Sequence, residues 1–279
     1  MKVLIYGLNF APEIVGIGKY TGELAEFLRE KEHKVRVICS VPYYPNWKVK
    51  KNSYSIEQRK NIKIYRCPIW VPKRINGIKR LIHLVSFTLS SLPVLLINLF
   101  NKADIIYVVV PSLSYATSLI LLLNFFNNRP KLILHIQDFE IDAAFNLKIL
   151  KGEFLRRKLN LLETYIINKF DLVSTISNSM KKILRNKKIN VDKIIIPNWV
   201  DTKLVFPIEG NKKNHYREIL KISQKDFVLM YSGTLSKKQG IENIFLLCDQ
   251  FKNNLNIKLI IAGEGPLRDY VIEKAGKMK

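Results

Sequence analysis

Short apolar runs rich in β-branched residues alternate along this chain with longer amphipathic stretches, and this alternation constrains the fold more than any other feature. A parallel β-sheet covered by helices on both faces produces such a pattern, because each parallel strand is reached through a helical crossover. The fold class is therefore α/β. The apolar runs predict strands at Lys2–Leu8, Val35–Val41, Ile62–Pro68, Ile105–Val110, Lys131–Asp138, Leu172–Ser177 and Lys193–Asn198.

The pattern begins again after PNWVD, residues 197–201. A polar connector, EGNKKNHYREIL, precedes the strand-like FVLMYSG, which is similar to KVLIYG at the N-terminus, and another apolar run follows at residues 257–263. We therefore predict a complete Rossmann-like domain at 1–200 and a second Rossmann-like domain at 201–279. The second is expected to be partial, since domains of this kind usually run to ~100–150 residues.

The charge balance is strongly basic, with 46 Lys and Arg against 23 Asp and Glu and a net charge of +23. Such a field favours anionic partners, namely nucleic acid, acidic lipid headgroups or nucleotide phosphates, although compositional bias could supply much of it. No nucleic-acid-binding motif accompanies the charge, so we expect no nucleic-acid partner. Three scattered cysteines without a CxxC pair argue against a zinc site or a disulfide framework and indicate a reducing compartment.

Residues 81–101, between Arg80 and Lys102, contain no charged side chain, and a spanning helix needs about 20 mostly apolar residues. His83, Ser86 and Ser90 nevertheless recur at helical spacing, and the strands on either side are both needed in one sheet. We therefore reject a membrane span. A buried helix remains one reading, and shallow insertion into a membrane interface is the other. Basic residues just upstream support insertion and are expected to face the membrane: Lys73, Arg74, Lys79 and Arg80.

The stretch NFAPEIVGIGKY, residues 9–20, joins the first strand to the first helix and carries Gly16 and Gly18. It is not a dinucleotide fingerprint. Eight residues separate Gly7 from Gly16, and the second strand ends without the acidic residue that would hold a ribose. A longer glycine loop at a helix N-terminus suits a sugar or a diphosphate, and a tight turn without a ligand is the alternative.

Eight motifs follow one another along the chain: YGLNFAPEIVGIGKYTGELAEFL, VPYYPNW, RCPIWVPK, LHIQDFEIDA, STISNSM, IIPNW, YSGTLSKKQGIEN and AGEGPLRDY. With these motifs in this order, the chain resembles glycosyltransferases of family 4 over its whole length. It is most similar to the branch that builds colanic-acid-type and related capsular polysaccharides. The resemblance implies a GT-B fold, in which an acceptor-side domain is followed by a nucleotide-sugar (donor) domain.

The resemblance also implies the site residues. The sugar pocket is expected to contain Asp138, Gln137 and Glu140 as catalytic residues, with Gln137 in the place of the family's usual His. Donor binding is expected at Gly16, Gly18, Gly233, Lys238, Gly263 and Gly265, although Thr234 and Gln239 occupy the positions where the family commonly has Arg and Lys. Acceptor contact is expected from Tyr43, Tyr44 and Trp47, unless their loop only packs on the domain. His135 is interpreted as a hydrogen-bonded residue of the sheet.

The implied activity is transfer of a sugar from a nucleotide sugar to a lipid-linked oligosaccharide, with retention of the anomeric configuration. The resemblance also implies that no metal or cofactor is required, since the nucleotide sugar is a substrate. The chain fits this expectation, because it has no DxD motif and no His/Cys cluster. The expected location is cytoplasmic and peripheral, at the anionic inner face of the cell membrane. The family's acidic E-x7-E segment does not occur by residue 279, so a second polypeptide supplying the rest of the donor domain is a possible partner. The alternative is a non-catalytic remnant that binds membrane or such a partner.

Overall fold

A computed structural model describes residues 1–13, 16–73, 77–111, 113–146, 150–207, 214–254 and 256–278. Contacts between Cα atoms divide the chain into two compact units, Met1–Val200 and Asp201–Lys279, called here the N-terminal and C-terminal units. Each unit has its own buried apolar cluster.

The N-terminal unit is built on one sheet of eight strands, with β3 paired antiparallel to β4 and every other neighbouring pair parallel. Its spatial order is β3-β4-β2-β1-β5-β6-β7-β8. All seven predicted strands are confirmed. The strands are β1 Lys2–Gly7, β2 Lys34–Ser40, β3 Ser55–Arg59, β4 Ile62–Cys67, β5 Ile105–Val110, β6 Lys131–Ile136, β7 Leu172–Thr175 and β8 Asp192–Ile195.

Strand β3 is the one element of this sheet that the sequence patterns missed. All five of its residues are exposed, so it carries no run of buried apolar positions from which a strand could be recognised. A two-residue turn, Lys60 and Asn61, joins it to β4, and both residues have positive φ. This is the conformation that favours a tight hairpin, because it matches the natural twist of the two strands.

Helices cover both faces of the sheet. The described helices of this unit are α1 Gly16–Glu30, α2 Gly77–Phe100, α3 Ser114–Leu123, α4 Glu140–Asn146, α5 Glu153–Ile167 and α6 Asn178–Asn186. Helix α1 contributes Ala25 to the apolar cluster on one face of the central strands. Helices α2, α3, α5 and α6 contribute buried residues to the larger cluster on the other face. The arrangement is the doubly wound α/β layer that the alternating pattern predicts.

The C-terminal unit repeats the arrangement on a smaller scale. Its two strands pair in parallel, as expected from the similarity between FVLMYSG and KVLIYG. A small core gathers Leu235, Ile241, Phe245 and Val271. The elements are α7 His215–Ile219, β9 Phe227–Ser232, a 3-10 turn Lys237–Gln239, α8 Ile241–Phe251, β10 Ile257–Ala262 and α9 Arg268–Lys277.

His135 is a buried residue of β6, as the sequence interpretation held. Its Nδ1 lies 2.9 Å from Ser174 Oγ, and its ring stacks on Tyr107. Burial lowers the pKa of His135 to about 4. An unfolded chain binds a proton at this residue below about pH 6.5, and the folded protein does so only near pH 4. The free energy of unfolding is therefore not reduced by this histidine above pH 6.5, and it declines as the pH falls from 6.5 to 4.

We expect His135→Gln to reduce the acid sensitivity of the N-terminal unit. Between pH 7.5 and pH 5, the protein should lose roughly 2 kcal/mol more unfolding free energy than the variant, which cannot take up that proton. Urea unfolding followed by tryptophan fluorescence measures this unit alone, because Trp47, Trp70 and Trp199 all lie in it. His33→Gln, at a half-buried histidine of the same unit, is the matched control. Equal losses in all three proteins would contradict the assignment.

Candidate active site

The carboxyl ends of β1, β2, β5 and β6 lie at one edge of the parallel sheet, where α/β proteins place their ligands. Three segments identified in the sequence follow these ends: the glycine loop after β1, VPYYPNW after β2, and Gln137 to Glu140 after β6. The topology therefore brings three of the predicted site segments to the same edge.

The glycine loop is shaped by the close approach of neighbouring side chains. Gly16 begins α1 with φ +61°, a conformation that costs glycine little, and a Cβ there would lie 3.8 Å from Tyr44. At Gly18, a Cβ would come within 2.7 Å of both Cβ and Oε2 of Glu13. Gly18 is thus buried beneath the side chain of Glu13, and this contact is a structural reason for glycine at that position.

Glu13 is the residue of this loop that the sequence reading missed. It is 5% exposed, and its Oε1 accepts hydrogen bonds from the backbone N–H groups of Tyr43 (3.2 Å) and Tyr44 (3.0 Å). Its Oε2 accepts a bond from Asn9 Nδ2 at 2.9 Å. Burial raises the pKa of Glu13, and the bonds from Asn9 and the two backbone groups act against that rise. The carboxylate joins the loop after β1 to the loop after β2.

A buried arginine fixes the same loop from the other side. Arg66 on β4 is 2% exposed, and its guanidinium makes a bidentate pair with Glu57 on β3, each N–O distance being 3.1 Å. Its Nη2 also donates to the carbonyl of Ala11 at 2.5 Å. A buried guanidinium needs such partners because desolvating an unpaired charge costs several kcal/mol. The edge hairpin and the glycine loop are thereby held together.

An open cavity of about 430 Å³ lies beside these groups. The VPYYPNW segment lines one part of it, and Glu13, Glu57 and Arg66 line another. Lys48, Lys50 and Lys51 add positive charge to its wall. The cavity can therefore accommodate a ligand that combines an anionic group with an apolar or sugar surface.

The aromatic residues of VPYYPNW differ in how they are used. Tyr43 is 6% exposed, and its ring packs edge-on against Trp47 and His83. Its hydroxyl accepts a bond from Asn9 Nδ2 at 3.2 Å, so it stabilises the loop. Tyr44 is half-buried and borders the cavity, and Trp47 is half-buried against the core with φ +51°. Of the two tyrosines, Tyr44 therefore has the ring that is more accessible to a ligand in the cavity.

The segment after β6 places Gln137, Asp138 and Glu140 half-buried at the sheet edge. Glu140 begins α4, and its Oε1 accepts two bonds from Arg80, from Nε at 2.9 Å and from Nη2 at 2.6 Å. Arg80, which was expected to face a membrane, pairs with this carboxylate while its side chain stays 45% exposed. An ion pair this exposed contributes only about 0–1 kcal/mol to stability, but it orients both side chains.

Helix α4 is anchored from below by a second group of charges that the sequence reading missed. Lys187, the residue that ends α6, lies 2.9 Å from Asp142 on α4 and 2.5 Å from Glu163 on α5. Burial alone would lower the pKa of Lys187, but the two carboxylates raise it overall. No local pattern signals this triad, because its members are far apart in the sequence. It fixes the helix that carries Glu140.

Of the remaining predicted membrane-facing residues, Lys73 precedes α2 and Lys79 lies in its first turn. Lys73 and Lys79 are exposed, and Arg74 lies outside the described residues. Among the residues that the structure describes, no group of three His, Cys, Asp or Glu side chains could hold a metal ion.

In the C-terminal unit, the predicted donor-binding glycines lie where the turn after β9 and the turn after β10 meet. A Cβ on Gly263 would lie 1.9 Å from the carbonyl oxygen of Gly233, and one on Gly265 would lie 2.4 Å from that of Leu235. Gly265 also has φ +155°. The turns after β9 and β10 are thus in backbone contact, which requires glycine whether or not a ligand binds. The side chain of Lys238 lies outside the described part of the structure.

Comparison with known proteins identifies the family. The family model described as "Glycosyltransferase Family 4" matches residues 14–204, and the model described as "Glycosyl transferases group 1" matches residues 212–279. The chain belongs to glycosyltransferase family 4. It is 37% identical over 273 residues to the Escherichia coli K12 protein WcaI, named as a colanic acid biosynthesis glycosyl transferase. That alignment covers 95% of this chain and 66% of WcaI, so the chain spans slightly less than two thirds of the relative's length.

Solved structures show the fold of this family 4 chain. Sucrose-phosphate synthase from Thermosynechococcus elongatus aligns with all of it, and with 68% of its own chain, at a TM-score of 0.70 and 14% identity. An α,α-trehalose 6-phosphate synthase from Burkholderia multivorans aligns with 99% of the chain, and 68% of its own, at a TM-score of 0.61 and 9% identity. The expected GT-B type of fold is confirmed.

We expect Glu13→Ala to destabilise the N-terminal unit. It leaves the backbone N–H groups of Tyr43 and Tyr44 without their acceptor, and each unmet buried donor costs about 1–3 kcal/mol. The unfolding free energy from urea titration should fall by about 2–4 kcal/mol. Glu30→Ala, which removes an exposed glutamate at the end of α1, should change it by less than about 0.5 kcal/mol. A Glu13→Ala variant as stable as that control would show that the carboxylate does not hold the two loops.

Proposed function

We propose that this chain transfers a sugar from a nucleotide sugar to a lipid-linked glycan during synthesis of an exopolysaccharide, a capsule or an O-antigen. The observation that carries the proposal is an acidic pair, Asp138 and Glu140, at the carboxyl edge of the sheet in a family 4 chain. The identity of 37% to a protein named for colanic acid biosynthesis supports the polysaccharide context.

In the proposed reaction, the bond between the anomeric carbon and the diphosphate oxygen breaks, and a hydroxyl oxygen of the acceptor forms the new glycosidic bond. The acceptor hydroxyl passes its proton to the leaving nucleoside diphosphate, which departs with the electrons of the broken bond. We assign retention of the anomeric configuration to this transfer. Asp138, Gln137 and Glu140 are proposed to contact the sugar, with Glu140 oriented by Arg80.

The leaving diphosphate needs positive charge or N–H donors where its charge develops. We assign this role to the glycine turns that contain Gly233, Gly263 and Gly265, and to Lys238. Gly16 and Gly18 at the start of α1 are proposed as further donor contacts. On the acceptor side, Tyr44 and Trp47 would offer aromatic surface, and the lysines of the neighbouring cavity suit an anionic acceptor headgroup. The transfer would take place at the cytoplasmic face of the membrane.

The proposal is tested by two measurements on the same protein. Calorimetry should detect binding of a UDP-linked or GDP-linked sugar from a panel of such donors. In the presence of a lipid extract that contains glycan acceptors, label from that donor should pass into the organic phase. We expect Asp138→Asn and Glu140→Gln each to lower the transfer rate on the order of 100-fold, because they remove charge at the reacting sugar.

The control is Asp192→Asn, an exposed carboxylate at the start of β8, which should leave transfer unchanged. If the protein bound no nucleotide sugar and transferred none, the proposal would be overturned in favour of a non-catalytic binding role. If the parent and the Asp138 and Glu140 variants transferred sugar at equal rates, the proposed activity would stand, but these two residues would have no role in it.

A further inference from the structure

Helix α2 has apolar residues on both sides: Leu84, Phe87 and Leu95 fill the core, and a second set of apolar residues faces outward. Eight apolar side chains are between 39% and 74% exposed and recur at the spacing of a single helix face. Together they are called here the α2 apolar face, and they are Ile78, Leu81, Ile82, Val85, Leu89, Leu96, Ile97 and Phe100. The helix has 24 residues, so this face is roughly 35 Å long.

The polar residues of α2 are used inside the N-terminal unit. His83 donates from Nδ1 to the carbonyl of Trp70 at 2.7 Å, and Ser91 shares a hydrogen bond of 2.7 Å with Tyr6. Asn98 accepts a bond of 2.9 Å from Arg36 through its side-chain oxygen. These bonds fix which side of the helix meets the sheet. The α2 apolar face lies on the opposite side and is therefore directed outward.

The exposed apolar surface continues beyond α2 on the same side of the sheet. Phe100 packs on Phe126, next to Phe125, which is 85% exposed. Helix α5 adds two exposed aromatic rings, each with a lysine over its face, Lys158 on Phe154 and Lys169 on Tyr165. Leu155 and Leu162 of α5 are also exposed, at 41% and 50%.

We propose that the α2 apolar face lies in the interface of an anionic lipid bilayer, with the helix axis parallel to the membrane surface. A crossing is ruled out by the fold, since β4 and β5, which precede and follow α2, belong to one sheet. Exposed lysines lie at both ends of the helix, with Lys73 before it, Lys79 in its first turn and Lys102 after it. An apolar stripe between cationic ends, on a chain of charge +23, complements acyl chains beneath negative headgroups.

A bilayer suits this surface better than a protein partner does. From residue 81 to 101 the chain carries no charged residue, and the side chains of His83, Ser91 and Asn98 form hydrogen bonds within the unit. A specific protein interface usually includes several hydrogen bonds that fix orientation, whereas a lipid surface needs none. This membrane proposal rests on the proposed function. Embedding the α2 apolar face would bring the acceptor side of the N-terminal unit to a lipid-linked substrate.

The test compares two double variants for binding to sucrose-loaded vesicles of phosphatidylethanolamine and phosphatidylglycerol. Leu89→Gln with Ile97→Gln removes two members of the α2 apolar face. Phe27→Gln with Ile56→Gln removes two equally exposed apolar residues from α1 and β3. We expect the first pair to weaken sedimentation with the vesicles at least tenfold and the second to leave it unchanged, because only the first removes apolar area buried in lipid.

A second readout covers the case in which the α2 variant folds poorly. A Leu89→Cys protein in a Cys248→Ser background, labelled with an environment-sensitive fluorophore, should shift to shorter wavelength when the vesicles are added. The same label at Phe27→Cys should not shift. No shift at position 89, or equal vesicle binding by both double variants, would overturn the proposal.

A third measurement separates lipid from a second copy of the chain. Sedimentation velocity without lipid should give a monomer for the parent protein. A dimer that the Leu89→Gln, Ile97→Gln variant abolishes would assign the face to self-association and overturn the membrane proposal. None of these measurements uses a sugar donor, so their failure is distinguishable from failure of the proposed transfer.

Discussion

A parallel sheet buried on both faces forces polar chemistry to the ends of its strands, and the N-terminal unit is organised around that constraint. Within β1, β2 and β5 most side chains are apolar and buried, so a functional group placed there would lack water and partners. The chain therefore becomes polar where these strands end. Because parallel strands end at the same edge, the glycine loop, the aromatic segment and the acidic segment all reach one region.

Charged groups that do enter the interior come with hydrogen-bond and ion-pair partners. Glu13 is met by two backbone N–H groups and Asn9, Arg66 by Glu57, and Lys187 by Asp142 and Glu163. Each set joins a loop or short helix at the sheet edge to the scaffold behind it. In a medium where an unpaired charge costs several kcal/mol, such sets allow few alternative arrangements. The edge segments are thus held by electrostatics as much as by apolar packing.

The sequence predicted the elements well and their polar contacts poorly, for one physical reason. Apolar periodicity is local, so it predicted seven strands of the sheet and both strands of the C-terminal unit. Strand β3 escaped because none of its residues is buried. Contacts such as Glu13 with Tyr43, or Lys187 with Glu163, join residues more than 20 positions apart, and no local pattern records them. The pair of Arg80 with Glu140 was not predicted for the same reason, since the two residues lie 60 positions apart.

Helix α2 shows where periodicity itself reaches its limit. A helix with one polar and one apolar face is usually placed with the apolar face inward, because apolar burial is the larger driving force. In α2 both sides are apolar, and the hydrogen bonds of His83, Ser91 and Asn98 help to determine which side faces the sheet. Their partners belong to the loop before α2 and to strands β1 and β2. Leu84, Phe87 and Leu95 still fill the core from the inward side, so the helix is apolar on both sides and polar only along narrow lines. A helix of this kind loses little by leaving one apolar side outside the core, provided that something less polar than water covers it.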